Sequence, residues 1–164
     1  MSKIFGELLM LIEADKRGED YEVSLTYSPK EKFSVPENLF LIGTMNTADR
    51  SIAMVDYALR RRFSFIQLTP QFNNKFREEL LRNGFSTEMV QNIIQKINNL
   101  NSTIREDINL GEGFQVGHSY FCPDGNTPYN TSWYKRKIKY KVEPLLREYW
   151  FDSPEMVQTL LENL

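Results

Sequence analysis

The sequence predicts an α/β part followed by an all-helical part, with the change near residue 70. Three observations carry that prediction. Leu39-Phe40-Leu41-Ile42-Gly43-Thr44-Met45 is apolar almost throughout, too short for a helix and without alternation, as expected of a strand buried on both faces in a helix-covered parallel sheet. Strand, polar turn, helix and strand then follow over residues 39–68, the order of a βαβ unit. Beyond Thr69-Pro70 only helical periodicities remain, apart from a Gly-, Pro- and Asn-rich stretch over 110–129.

Taken in order, Ile4, Phe5, Leu8, Leu9, Leu11 and Ile12 recur at helical spacing behind Ser2, and the pattern stops at Asp15-Lys16-Arg17-Gly18. Tyr21, Val23, Leu25 and Tyr27 alternate with polar residues, predicting a half-buried strand. Ser28-Pro29-Lys30-Glu31 reads as the turn and 33–35 as a short return strand. After the apolar run, Asn46-Thr47-Ala48-Asp49-Arg50-Ser51 is the polar turn, 52–62 is helix-compatible and 63–68 is a strand. Further helices are predicted over 73–82, 87–106, 132–150 and 154–161, with Pro144 expected to kink or divide the third.

Composition narrows the function classes. The chain has 164 residues, with 20 Lys+Arg against 22 Asp+Glu, so no global charge argues for nucleic acid. Cys122 and His118 are the only cysteine and histidine, which excludes an internal disulfide and a zinc site and points to a reducing, cytoplasmic setting. No apolar run approaches the roughly 20 residues of a membrane-spanning helix.

Four groups of residues can carry chemistry. The polar turn with Asn46, Thr47, Ala48, Asp49 and Arg50 follows the carboxyl end of a predicted strand, where open α/β sheets bind ligands; the same residues also suit an ordinary turn with Asp49 capping the next helix. Arg60, Arg61 and Arg62 end a predicted helix about 100° apart, so they cannot share one solvated face. They are either cations at a helix C-terminus or include an arginine finger for a neighbouring subunit's nucleotide. Gly117-His118-Ser119-Tyr120-Phe121 offers one histidine with no nucleophile beside it. Lys135, Arg136, Lys137, Lys139, Lys141 and Arg147 interleave with Trp133, Tyr134, Tyr140 and Tyr149, tempered by Glu143 and Glu148; the commoner explanation is a solvated face over an aromatic core, the other a nucleic-acid contact. No G-x-x-x-x-G-K-[ST] is present, nor an apolar strand ending in adjacent acidic residues for Mg²⁺.

The segment from Val35-Pro36-Glu37-Asn38 through Met45-Asn46-Thr47-Ala48-Asp49-Arg50-Ser51, joined to Ala58-Leu59-Arg60-Arg61-Arg62-Phe63, strongly resembles the McrB-like AAA+ proteins, GTPase motor subunits of methylcytosine-dependent restriction systems. Gly117-His118-Ser119-Tyr120-Phe121 and Val142-Glu143-Pro144 through Trp150-Phe151 look like that family's lid, and the opening helix looks like the one after its acidic metal-binding motif. The resemblance implies a C-terminal portion of an AAA+ P-loop core over 1–69, with few strands, followed by a helical lid subdomain over 70–164. It also implies a fragment or truncated gene product, because the phosphate and metal motifs that precede this region in the family are missing.

Residue by residue, the resemblance implies Asn46 as the sensor that orients the attacking water and Asp49 as part of the catalytic signature. Thr47, Ala48 and Arg50 then belong to a signature near which the nuclease partner acts. Arg61 is the first choice for the trans-acting finger and Arg62 the second, one of them anchoring the helix to its own subunit. Gly117 and His118 fall at the nucleotide-proximal part of the lid. The whole protein would use GTP or ATP with Mg²⁺, while this chain alone binds neither and holds no metal. Its partners would be further copies in a hexameric ring, an McrC-like endonuclease subunit, and DNA through a domain absent here, with no membrane. A non-enzymatic protein-interaction module built on the same fold is the alternative.

Overall fold

The computed structural model describes residues 6, 8–46, 60–125 and 128–164. The chain separates into two compact units, Met1–Gln67 and Leu68–Leu164.

In the first unit, helix α1 (Leu8–Leu11) leads into Ile12, and Leu11 and Ile12 are buried together with Val35. Ile4 and Phe5 of the predicted helix lie outside the described residues. Past α1, the Arg17 guanidinium donates to the Ile12 carbonyl at 3.0 Å and to the Leu39 carbonyl, tying the helix end to the segment that follows Val35. Gly18, at φ 89°, adds a backbone bond of 2.9 Å to the Val35 carbonyl, a conformation side chains disfavour.

Strand β1 (Val23–Leu25) pairs antiparallel with β2 (Ser28–Phe33). The turn is Thr26-Tyr27 instead of the expected Ser28-Pro29-Lys30-Glu31. The register explains the shift: it jumps from Ser24↔Lys32 to Leu25↔Ser28, which leaves Pro29, Lys30 and Glu31 in a bulge. There Pro29 owes no donor to the ladder, so a turn-forming residue sits within a strand.

The two expected βαβ strands are not formed in the described residues. Residues 39–46 and 64–67 have no regular structure, and Phe40, Ile42 and Ile66 are 85%, 95% and 85% exposed. A strand buried on both faces takes its backbone bonds from strands on either side. Among the described residues the only ladder is β1 with β2. Of the helix expected over 52–62, residues 52–59 lie outside the described residues; Arg60 is helical and Arg61-Arg62 form a turn. So much exposed apolar surface predicts self-association at high concentration. Sedimentation as a clean monomer across a concentration series would count against it.

The second unit is helical, with α2 (Asn74–Arg82), α3 (Thr87–Glu106), α4 (Thr131–Lys137), α5 (Glu143–Tyr149) and α6 (Pro154–Glu162). Asn73, Ser86 and Asn130 cap the first, second and third of these, each side chain accepting the N–H three residues on. After α2, Gly84 at φ 90° lets its N–H reach the Leu81 carbonyl and that of buried Phe85 reach the Leu80 carbonyl, closing the helix end twice over. Phe76, Leu80, Val90, Ile93, Ile97, Leu100 and Ile104 join Phe121, Trp133, Val142, Leu146 and Trp150 in one core.

Pro144 does not divide the third helical segment. Ile138–Val142 forms a π turn that joins α4 to α5, and Pro144 follows just after it, where the widened winding accommodates the proline. The buried residues Tyr134, Ile138, Val142, Leu146 and Trp150 are spaced strictly by four. On an uninterrupted α-helix that spacing drifts about 160° from first to last. The wider π turn takes back part of the drift and keeps the seam on the core. No helix among the described residues is long and apolar enough to cross a membrane.

Candidate functional site

In the first unit, the three arginines have different environments. Arg60 and Arg61 are exposed. The Arg62 side chain is only 9% exposed, and its Nη2 forms an ion pair with Glu13 Oε1 at 2.7 Å. A guanidinium so enclosed is committed to the fold, because removing one partner of a buried pair leaves the other charge uncompensated. Arg61 keeps a planar, permanently charged fork at the surface, suited to phosphate or carboxylate oxygens. Asn46 is exposed at the end of the irregular apolar segment. Thr47, Ala48, Asp49 and Arg50 lie outside the described residues.

In the second unit, Gly117 precedes a 3₁₀ turn, His118–Phe121. The Gln71 backbone N–H donates to His118 Nδ1 at 3.0 Å. That bond requires an unprotonated Nδ1, so the neutral ring carries its proton on Nε2. The ring meets Phe72 and Phe76 edge-on, with centroids 6.3 and 5.9 Å away. Four residues on, the Cys122 thiol donates to the His118 carbonyl at 3.7 Å. Burial pushes that thiol up, the Glu79 carboxylate adds to the rise and Lys137 opposes it, and the net rise disfavours the thiolate.

The turn is held by a residue the sequence reading passed over. Asn101, on α3 and 3% exposed, donates from Nδ2 to the Val116 carbonyl at 3.0 Å and accepts the Val116 N–H at 2.6 Å. One side-chain amide thus clasps both polar groups of the residue just before Gly117-His118. Gln115 Nε2 returns a bond to the Asn101 carbonyl at 3.3 Å, and the Gly111 N–H one to the Ile104 carbonyl at 3.2 Å. The signal was present in the sequence: Asn101 lies on the helical face shared by Ile93, Ile97 and Ile104, where an amide must find buried partners. Glu13, the partner of Arg62, had no such signal, since 49 residues separate the two.

Two tryptophan anchors complete the second unit. Trp150 Nε1 donates to Asp107 Oδ2 at 2.8 Å, joining the end of α5 to the end of α3. Trp133 Nε1 donates to Asp124 at 3.2 Å, and Lys137 pairs with the same carboxylate at 3.0 Å. No group of three His, Cys, Asp or Glu side chains among the described residues is placed to hold a metal ion.

With this geometry in view, residues 92–158 match the profile of the McrB alpha-helical lid domain. Residues 1–63 match that of the AAA domain, dynein-related subfamily. The chain is 51% identical over 171 residues to the Type IV methyl-directed restriction enzyme EcoKMcrB subunit of Escherichia coli strain K12, an alignment covering all of this chain and 37% of that protein. It is 34% identical over 77 residues to the Type II restriction enzyme BsuMI component YdiS of Bacillus subtilis strain 168, covering 39% of this chain and 22% of that protein. The chain therefore spans well under half the length of either relative.

Proposed function

Since the chain belongs to the McrB-like AAA proteins, with an AAA portion followed by an McrB-type helical lid, we propose that it is the trans-acting part and lid of a GTP-hydrolysing motor subunit in a modification-dependent DNA restriction system. The alignment of the whole chain, at 51% identity, with the E. coli restriction subunit is the observation that carries this reading.

The contrast within the arginine run supports a division of labour. Arg62, held by Glu13, anchors the segment to its own subunit, and exposed Arg61 presents its guanidinium to the phosphates bound by the neighbouring one. Asn46 orients the attacking water by hydrogen bonding without adding charge, and Asp49 completes the signature with it. Thr47, Ala48 and Arg50 belong to the signature near which the endonuclease partner acts. Gly117 and His118 lie at the nucleotide-proximal edge of the lid, with the Nε2 proton of His118 available as a donor. The nucleotide, GTP or ATP with Mg²⁺, supplies the phosphoanhydride to be cleaved.

These roles need a ring, hexameric in this reading, because the finger of one copy serves the site of the next. A cytoplasmic setting, an McrC-like endonuclease and DNA reading by another domain complete the assignment. The described residues offer no metal cluster, and the sequence has no Gly-Lys pair for a phosphate cradle. The isolated chain is accordingly expected to show no binding of Mg-GTP in a calorimetric titration. Micromolar binding would overturn the trans-acting assignment, since the chain would then possess a nucleotide site of its own.

A further inference from the structure

The basic stretch of α4 and the π turn does more than solvate a surface. Between Thr131 and Val142 the chain carries Lys135, Arg136, Lys137, Lys139 and Lys141 and no acidic residue, although its overall charge is nearly balanced. Asp124, Trp133, Arg136, Lys137, Tyr140 and Lys141 enclose a cleft of about 350 Å³. Its floor is fixed: Trp133 is 1% exposed, Lys137 lies 5.2 Å from the Trp133 ring centroid, and Asp124 binds both. Lys137 is therefore partly neutralised. Among the described residues, neither Arg136 nor Lys141 has a carboxylate within ion-pair distance.

Like charges one turn apart destabilise a helix. Lys137 and Lys141, and Lys135 and Lys139, repeat that arrangement, which an external anion relieves. Lys135 and Lys139 line a separate cleft, of about 420 Å³, with Lys96 and Glu143. Tyr140 is 65% exposed and lies among the cations, with the Lys139 ammonium over its ring at 5.6 Å from the centroid. Cations flanking an open ring form the surface on which single-stranded nucleic acid rests, with phosphates on the charges and a base on the ring.

We propose that the cleft lined by Arg136, Lys137, Tyr140 and Lys141 is a contact for single-stranded nucleic acid, taking phosphates between Arg136 and Lys141 and a base on Tyr140. This goes beyond the motor reading and needs no bound nucleotide. The full chain should raise the anisotropy of a fluorescein-labelled single-stranded oligonucleotide at low salt. The R136E/K141E variant should weaken binding at least tenfold and flatten the slope of log K against log salt by about 1.4, two phosphate contacts at about 0.7 each. Y140A should weaken binding about 5- to 150-fold with the slope unchanged. K75E/R77E, an equal charge change on α2, should have little effect, and circular dichroism checks that every variant is folded. Absence of binding at low salt, or an equal loss in K75E/R77E, would overturn the site. Tighter binding of the matching duplex, insensitive to Y140A, would overturn the single-strand assignment.

Discussion

Replacing Arg61 with alanine in a full-length McrB-like protein carrying this segment is expected to lower turnover by about 10³- to 10⁵-fold and leave nucleotide affinity close to that of the parent. That corresponds to about 4–7 kcal/mol of transition-state stabilisation. The split follows from the proposed trans assignment: a guanidinium that serves a neighbour's site contributes nothing to the pocket of its own subunit, and Arg61 is exposed. Phosphate release at saturating GTP reads the first quantity and a binding titration the second. Arg62→Ala should act differently, lowering the stability of the first unit by removing the partner of Glu13. A mixing experiment separates cis from trans action. Subunits carrying R61A, combined with subunits whose phosphate cradle is disabled but whose Arg61 is intact, should recover part of the lost activity. Normal turnover in R61A would assign the finger to another residue.

Asn101→Ala is expected to lower the stability of the helical unit strongly. It strands the N–H and C=O of Val116, a residue only 1% exposed, and each unsatisfied buried group costs about 1–3 kcal/mol. A loss of about 3 kcal/mol should lower the melting temperature by roughly 12–20 °C in a unit of this size. Asn99→Ala, at an exposed position on the same helix, is the control and should melt within a degree or two of the parent. Thermal melts followed at 222 nm check both. Equal melting of the two variants would mean that the clasp on Val116 contributes nothing net. Because Val116 immediately precedes Gly117-His118, a folded Asn101→Ala chain should also lose the Gln71 to His118 bond, visible as a change in the imidazole resonances.

The helical unit was largely legible in the sequence and the first unit was not. Helices α2, α3 and α6 each bury an apolar stripe within their own length, and Asn73 and Ser86 announce the starts of two of them. Such helices need little from outside to declare themselves. The apolar runs at 39–45 and 63–68 carry the composition of buried strands, yet a strand is completed by its neighbours, and composition cannot supply them. Pro29 misled because proline signals a turn equally in a loop and in a bulge. The π turn did leave a trace, in the strict four-residue spacing from Tyr134 to Trp150, but Pro144 drew attention to a break instead. At the candidate site, the run Arg60-Arg61-Arg62 could be read as asymmetric from the 100° step alone. Which arginine is buried depends on Glu13, a tertiary fact. His118 stood out as the only histidine, whereas the residues that position it, Gln71 and Asn101, become visible only once the chain is folded.

The π turn has a consequence for how this stretch can vary by insertion and deletion. Compared with an ordinary helix, a π turn amounts to one surplus residue absorbed without breaking the chain's course. Removing one residue from Ile138–Val142 would restore regular winding and leave Leu146 and Trp150 on the same seam. A further inserted residue has no such outlet: it would turn everything downstream by about 100° about the axis and take Trp150 away from Asp107. This stretch can therefore shorten by one codon more readily than it can lengthen by one.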